Sequence, residues 1–188
     1  MSVRREEILD AAERLVRRAG YAGVSTRAVA EEVGIRAASL HHHFPTKSDL
    51  GEALTDRYTE RFMEKLGPPE EARNAPAGPV SVYCDAFRES LRRDGALCLC
   101  GVLGAEMSGL PVGVAENART FFARNLNWLT EALREPGAAP AHSRAVHILS
   151  ALEGAMMLTV AMEESSVIDA VCSELIAANQ RTPPAQIS

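Results

Sequence analysis

The sequence predicts an all-α chain. Two observations predict it. Apolar residues recur at intervals of three and four along almost every segment, the mark of amphipathic helices, and no stretch alternates with period two. Glycine, proline and Ser/Thr residues fall where such helices would start and stop. A length of 188 residues suits one large domain or a small one joined to a larger one. At 46% hydrophobic, 24% charged and 5% aromatic, the chain is globular, with a core built mainly from Leu, Val, Ala and Met.

The first helix is expected over Arg4–Ala19, with Ile8, Ala12, Leu15 and Ala19 on its apolar face and Gly20 closing it. Ser25 is placed to cap a second helix, Thr26–Val33, with Val29, Ala30 and Val33 inward and Gly34 at its end. A third short helix, Ala37–Phe44, is stopped by Pro45. Thr46-Lys-Ser-Asp49 reads as a capping box opening a fourth helix that runs to about Leu66, with Leu50, Leu54, Tyr58, Phe62 and Leu66 on its buried side. Residues 67–79, with four prolines, read as a linker. Helices follow at roughly 80–94, 97–108, 112–135, 142–164 and 166–180, broken at 94–95, 109–111 and 136–140. The tail from Arg181 to Ser188 has two adjacent prolines and is expected to fray.

A net charge of −5 argues against a nucleic-acid partner, but its distribution argues for one. Residues 1–47 carry +2, whereas residues 48–66 carry −2 and residues 67–188 carry −5. Positive charge gathered at one end suits an anionic partner met by that end alone. The four cysteines have no disulfide-framework or CxxC spacing, which fits a reducing compartment. The longest apolar run, from Leu97 to Ala105, is too short to span a bilayer, and the N-terminus turns acidic where a signal peptide needs apolar residues. A cytoplasmic protein with no membrane partner is the expectation.

The unusual stretch is "SLHHHFPTKSDL", residues 39–50. Successive helical residues diverge by about 100°, so His41, His42 and His43 fan around the axis and cannot converge on one metal ion. No orienting carboxylate is suggested nearby for catalysis. Leu40 and Phe44, four apart, share the inward face, leaving Ala38, Ser39 and His42, flanked by Ala37, His41 and His43, as a small polar surface. Two readings fit: a solvated face with incidental histidines, or the second helix of a helix-turn-helix, which enters the DNA major groove. Across the chain there is no Gly-rich phosphate loop, metal-ligand constellation or Ser/Cys–His pairing at readable spacing. Neither an enzyme nor a cofactor is expected.

The ordered set Gly20-Tyr21, Ser25, Ala30, Gly34-Ile35, Leu40, Phe44, Lys47 and Leu50 resembles the N-terminal domain of the tetracycline-repressor (TetR) family over about the first 60 residues. That resemblance implies a homodimeric, ligand-responsive DNA-binding regulator, a repressor released from a near-palindromic operator on double-stranded DNA by a small molecule. The implied domains are a helix-turn-helix DNA-binding domain at 1–47, a connecting helix at 47–66, and a helical effector-binding and dimerisation domain at 48–188. Residue by residue, it implies that Thr26, Arg27 and Lys47 contact the DNA backbone and that Arg36, Ala37, Ala38 and Ser39 read bases. His41 stands where the family usually has tyrosine, and with His42 and His43 it completes the expected contact face. The two alanines have no side-chain donors and can only pack, for example on thymine methyls.

In the C-terminal region, Cys98-Leu-Cys-Gly-Val-Leu-Gly-Ala-Glu106 looks like a "CLLGNLAAE"-type stretch on an internal helix in one branch of the family. An effector pocket among the central helices has Tyr83, Phe87, Cys100, Met107, Phe121, Phe122, Trp128 and Met156 as candidate lining residues, each of which also fits as plain core. The composition favours an uncharged or amphipathic effector. Cys98 and Cys100 fit either as buried packing or as an electrophile-sensing thiol. The last two helices carry apolar residues on more than one side, which needs more than one neighbour. A dimer interface answers that need, and so does burial within the subunit.

Overall fold

The computed structural model describes residues 3–135 and 141–180, and the expected break at 136–140 and the tail from Arg181 lie outside them. Ten α-helices are described: α1 (Val3–Gly23), α2 (Thr26–Val33), α3 (Ala37–His43), α4 (Lys47–Leu66), α5 (Pro69–Asn74), α6 (Gly78–Asp94), α7 (Leu99–Ala105), α8 (Val112–Ala132), α9 (His142–Met162) and α10 (Ser166–Gln180). A 3-10 turn, Met107–Gly109, follows α7, and there is no strand among the described residues. By packing, the chain divides into two compact units: residues 1–64 with 96–124, and residues 65–95 with 125–188.

In the first unit the local signals act as expected. The Ser25 hydroxyl accepts the Ala28 N–H at 3.1 Å and caps α2, and Gly34 ends α2 at φ 73°, the left-handed conformation that favours glycine. Thr46 and Asp49 form the reciprocal box: the Thr46 N–H donates to Asp49 Oδ2 at 2.8 Å and the Asp49 N–H to Thr46 Oγ1 at 3.1 Å. Leu50, Leu54, Tyr58, Phe62 and Leu66 are all buried along α4.

Three expectations change. Gly20 does not close α1 but kinks it at φ 76° and ψ 164°, and another turn follows to Gly23. Ala19 is exposed and Leu15 half-buried; the inward face of α1 is instead Ile8, Leu9, Ala11, Ala12 and Val16. Residues 67–79 hold a helix, α5, because a proline in its first turn costs no hydrogen bond and Glu70 and Glu71 complement its N-terminal dipole.

The inward face of α1 is also charged. Glu13 and Arg17 are 6% and 5% exposed. Arg57 on α4 lies 2.9 Å from both Glu6 Oε2 and Asp10 Oδ1, and its other terminal nitrogen is 3.3 Å from Glu13 Oε2, which Arg61 also meets at 3.3 Å. Glu6, Asp10, Glu13 and Arg17 recur every three or four residues, as do Arg57 and Arg61. Two complementary stripes thus lock α1 to α4.

In the second unit, α6, α9 and α10 pack together. By length and apolar composition α9 could cross a membrane, a property that a search for uninterrupted apolar runs passes over. Ala145, Ile148, Leu149, Leu152, Ala155 and Met156 are nevertheless buried within the fold. Its other side leaves Val146, Met157, Leu158 and Met162 between 40% and 58% exposed.

Breaking the α1–α4 lock has a measurable cost. Arg57→Ala strips the buried Glu13 of one partner and lowers the unfolding free energy by about 2–4 kcal/mol in urea titration. Arg4→Ala, which removes only an exposed pair with Glu7, changes it by less than about 0.5 kcal/mol.

Candidate nucleic-acid interface

The surface around α3 is built from both ends. The Ile35 N–H donates to the Ala30 carbonyl at 2.9 Å, closing the turn after α2, and Arg36 then takes extended backbone as the residue preceding α3. Leu40 and Phe44 are buried, and the Arg5 guanidinium covers the Phe44 ring at 5.1 Å from its centroid. With that side committed to the core, Arg36, Ala37, Ala38, Ser39, His41 and His42 are exposed and His43 is half-buried. His41 Nδ1 lies 3.2 Å from the Pro45 carbonyl, so the tautomer that donates there leaves Nε2 outward as an acceptor. The His42 and His43 rings meet edge to face at 5.7 Å.

The backbone-contact candidates lie on the helices either side of α3 in the chain. Thr26, half-buried, is the first residue of α2, and Arg27 is exposed beside it. Arg27 Nε donates to Glu31 Oε1 at 2.8 Å, a bond that raises the guanidinium pKa, and both side chains of the pair are exposed. Lys47 opens α4 with its ammonium 4.4 Å from the centre of the Tyr21 ring, while the Tyr21 hydroxyl donates to the Lys47 carbonyl at 3.1 Å. Partial burial lowers the Lys47 pKa and the Glu106 carboxylate opposes that shift. All the expected contact residues belong to the first unit.

Three polar residues were not singled out from sequence. Arg17 donates through Nε to the Leu97 carbonyl at 2.6 Å and through Nη2 to the Ala96 carbonyl at 2.9 Å. Its neighbour Glu13 is 3.7 Å from Arg17 Nη1. The Glu106 carboxylate accepts the N–H groups of Tyr21 at 3.1 Å and Ala22 at 2.9 Å. Glu13 and Arg17 announce themselves by the charged stripe on α1. Glu106 carries no local signal beyond the acidic end of the Cys98–Glu106 stretch.

The effector candidates fall into two groups. In the second unit Tyr83 donates its hydroxyl to Asn125 Oδ1 at 2.7 Å and packs on Phe87 and Trp128, with ring centres 5.4 Å and 5.7 Å away. Trp128 Nε1 donates to the Gly67 carbonyl at 2.7 Å, and Met156 is buried. In the first unit Phe121 contacts Tyr58, Phe62 and Phe122, Cys100 is buried, and Met107 and Phe122 are half-buried. Burial holds the Tyr58 phenol well above its ordinary pKa, and its hydroxyl points to Cys98 Sγ at 3.6 Å. Cys98 is also buried. Cys84 on α6 and Cys172 on α10 hydrogen-bond each other, a pairing that raises the Cys84 pKa and lowers that of Cys172. One cleft of about 300 Å³ in the second unit is lined by Arg88, Leu91, Arg92, Thr159, Ile168 and Asp169 among others, and by none of the expected effector residues.

Known proteins place this architecture. Residues 8–54 match the family model "Bacterial regulatory proteins, tetR family", and residues 76–174 match "Transcriptional regulator LmrA/YxaF-like, C-terminal domain". The nucleoid occlusion factor SlmA of Marinobacter nauticus is 30% identical over 136 residues, covering 70% of this chain and 67% of that protein. The HTH-type transcriptional repressor AcnR of Corynebacterium diphtheriae is 38% identical over 94 residues, 50% of this chain and 45% of that one. A TetR transcriptional regulator from Legionella pneumophila superposes with a TM-score of 0.86 at 26% identity, covering 95% of this chain and 98% of that one. With the first model spanning the helix-turn-helix and the second most of the helices beyond it, the chain belongs to the TetR family of ligand-responsive, DNA-binding transcriptional regulators.

Proposed function

We propose that the chain works as a homodimeric repressor, with residues 1–47 binding DNA and residues 48–188 binding an effector and dimerising. Each subunit sets α3 in the major groove of one half-site of a near-palindromic operator. One observation carries this reading: α3 commits Leu40 and Phe44 to the core and leaves the Arg36–Ser39 face exposed, in the same unit as Thr26, Arg27 and Lys47. Thr26, Arg27 and Lys47 hold the phosphates and so fix position. Arg36, Ser39 and the His41–His43 cluster reach bases or phosphates, and Ala37 and Ala38 let the backbone approach closely. The chemistry is recognition, with no catalytic step and no cofactor, and the setting is the cytoplasm.

The second copy covers the outer side of α9. Val146, Met157, Leu158 and Met162 are too exposed for an unpartnered surface, and a Cβ added at Gly154 meets nothing within 4 Å in the subunit. A twofold axis there gives two recognition helices a fixed separation. An uncharged or amphipathic small molecule among the aromatic residues of the C-terminal domain then favours a conformation with the wrong separation. The shift is limited to its difference in affinity for the two states.

Selection of genomic fragments by the purified protein, followed by gel shift, tests the reading; failure to enrich any fragment at low salt overturns it. On a selected fragment Lys47→Ala weakens binding to all sequences alike and flattens the log–log salt slope by roughly one per subunit. Arg36→Ala instead changes base preference, by about 1–3 kcal/mol at the contacted pair. Met157→Asp yields monomers in sedimentation velocity at concentrations where the parent is dimeric, and affinity for the palindromic fragment falls at least about tenfold.

A further inference from the structure

The stretch Cys98–Glu106 ends in an acidic residue that the fold brings against α1. α7 is tied to α1 at both ends. Ahead of it, the Arg17 guanidinium donates to the Ala96 and Leu97 carbonyls. Behind it, the Glu106 carboxylate accepts the Tyr21 N–H through Oε1 and the Ala22 N–H through Oε2. These amides begin the new turn after Gly20, where the helical ladder is interrupted. A carboxylate is a strong acceptor for such groups. Glycine at position 20 is needed for its positive φ and because a Cβ there would overlap the Glu106 carboxylate.

The contacts continue from Tyr21 to Lys47. The Tyr21 hydroxyl donates to the Lys47 carbonyl, and its ring carries the Lys47 ammonium on one face. Gly51 lets the ring sit against α4, since a Cβ there would be 2.7 Å from the ring edge. Tyr21 is 6% exposed and has little freedom to shift alone. We propose that Glu106 is a positioning residue for DNA binding, which through Tyr21 fixes the Lys47 ammonium against the path of the phosphate backbone. α7 is then a mechanical member of the DNA-reading unit. The proposal rests on Lys47 as a phosphate contact.

The test is a double-mutant cycle on the full-length dimer, with a DNA fragment selected by the parent protein as probe. Glu106→Ala weakens binding about tenfold in the parent background and by less than about twofold further once Lys47→Ala is present. Its salt slope matches that of Lys47→Ala, and hydrogen exchange at the Tyr21 and Ala22 amides speeds up. If Glu106→Ala does not fold by circular dichroism, Glu106→Gln, which offers one acceptor oxygen for two amides, gives the same pattern at smaller size. A loss of equal size in both backgrounds, or no loss in the parent, overturns the proposal while Lys47 keeps its role. Unchanged binding by Lys47→Ala removes the phosphate contact, and the proposal falls with it; that single mutant tells the two failures apart.

Discussion

Two charges buried on the inner face of α1, Glu13 and Arg17, commit the first unit to one arrangement. A buried ion is tolerated only where fixed partners replace its water. Glu13 finds them in Arg57 and Arg61 on α4, and Arg17 in the two carbonyls that lead into α7. Apolar packing is non-directional, so fixed charge pairs add a constraint on register that shape complementarity does not supply by itself. The paired stripes allow a single register. α2 packs on α1 and α3 on α2, so the direction in which α3 presents Arg36–Ser39 depends on where two buried side chains find their partners.

The proposed DNA surface, the exposed face of α3 with the start of α2, contrasts with this frame. It is lightly built, with two alanines and a serine at the start of α3 and histidines toward its end. The polar contacts on it are solvated ones: His41 Nδ1 meets the Pro45 carbonyl, and Arg27 is held by the exposed Glu31. Rigidity lies behind the surface and adaptability on it. Such a division suits a protein that must hold phosphates at fixed points while its side chains adjust to base edges.

Much of the fold was legible because its signals are local. The Ser25 cap, the Thr46–Asp49 box, Gly34 and the buried stripe of α4 each depend on residues within one or two turns. Contacts between distant segments were not. Ala19 fits an apolar period but is exposed, just before the kink at Gly20 that redirects the last turn of α1. α5 hid in a proline-rich stretch because proline breaks a helix interior yet suits a first turn. Glu106 looked like the polar end of a helix, and only the fold brings it to amides some 85 residues away. The expected DNA contacts share one unit, whereas the effector candidates divide between two aromatic clusters. Helical spacing identifies a buried face without saying which neighbour it meets.

The two alanines that open α3 have a further consequence. Ala37 and Ala38 are exposed, so a larger side chain there displaces nothing from the interior, and the loss of helix propensity is at most about 0.7 kcal/mol for ordinary residues. Here asparagine, glutamine or arginine would add a hydrogen-bonding group where none stood. If α3 enters the groove as proposed, the sequence preference of the chain can be written by addition, at two exposed positions where a larger side chain leaves the core undisturbed.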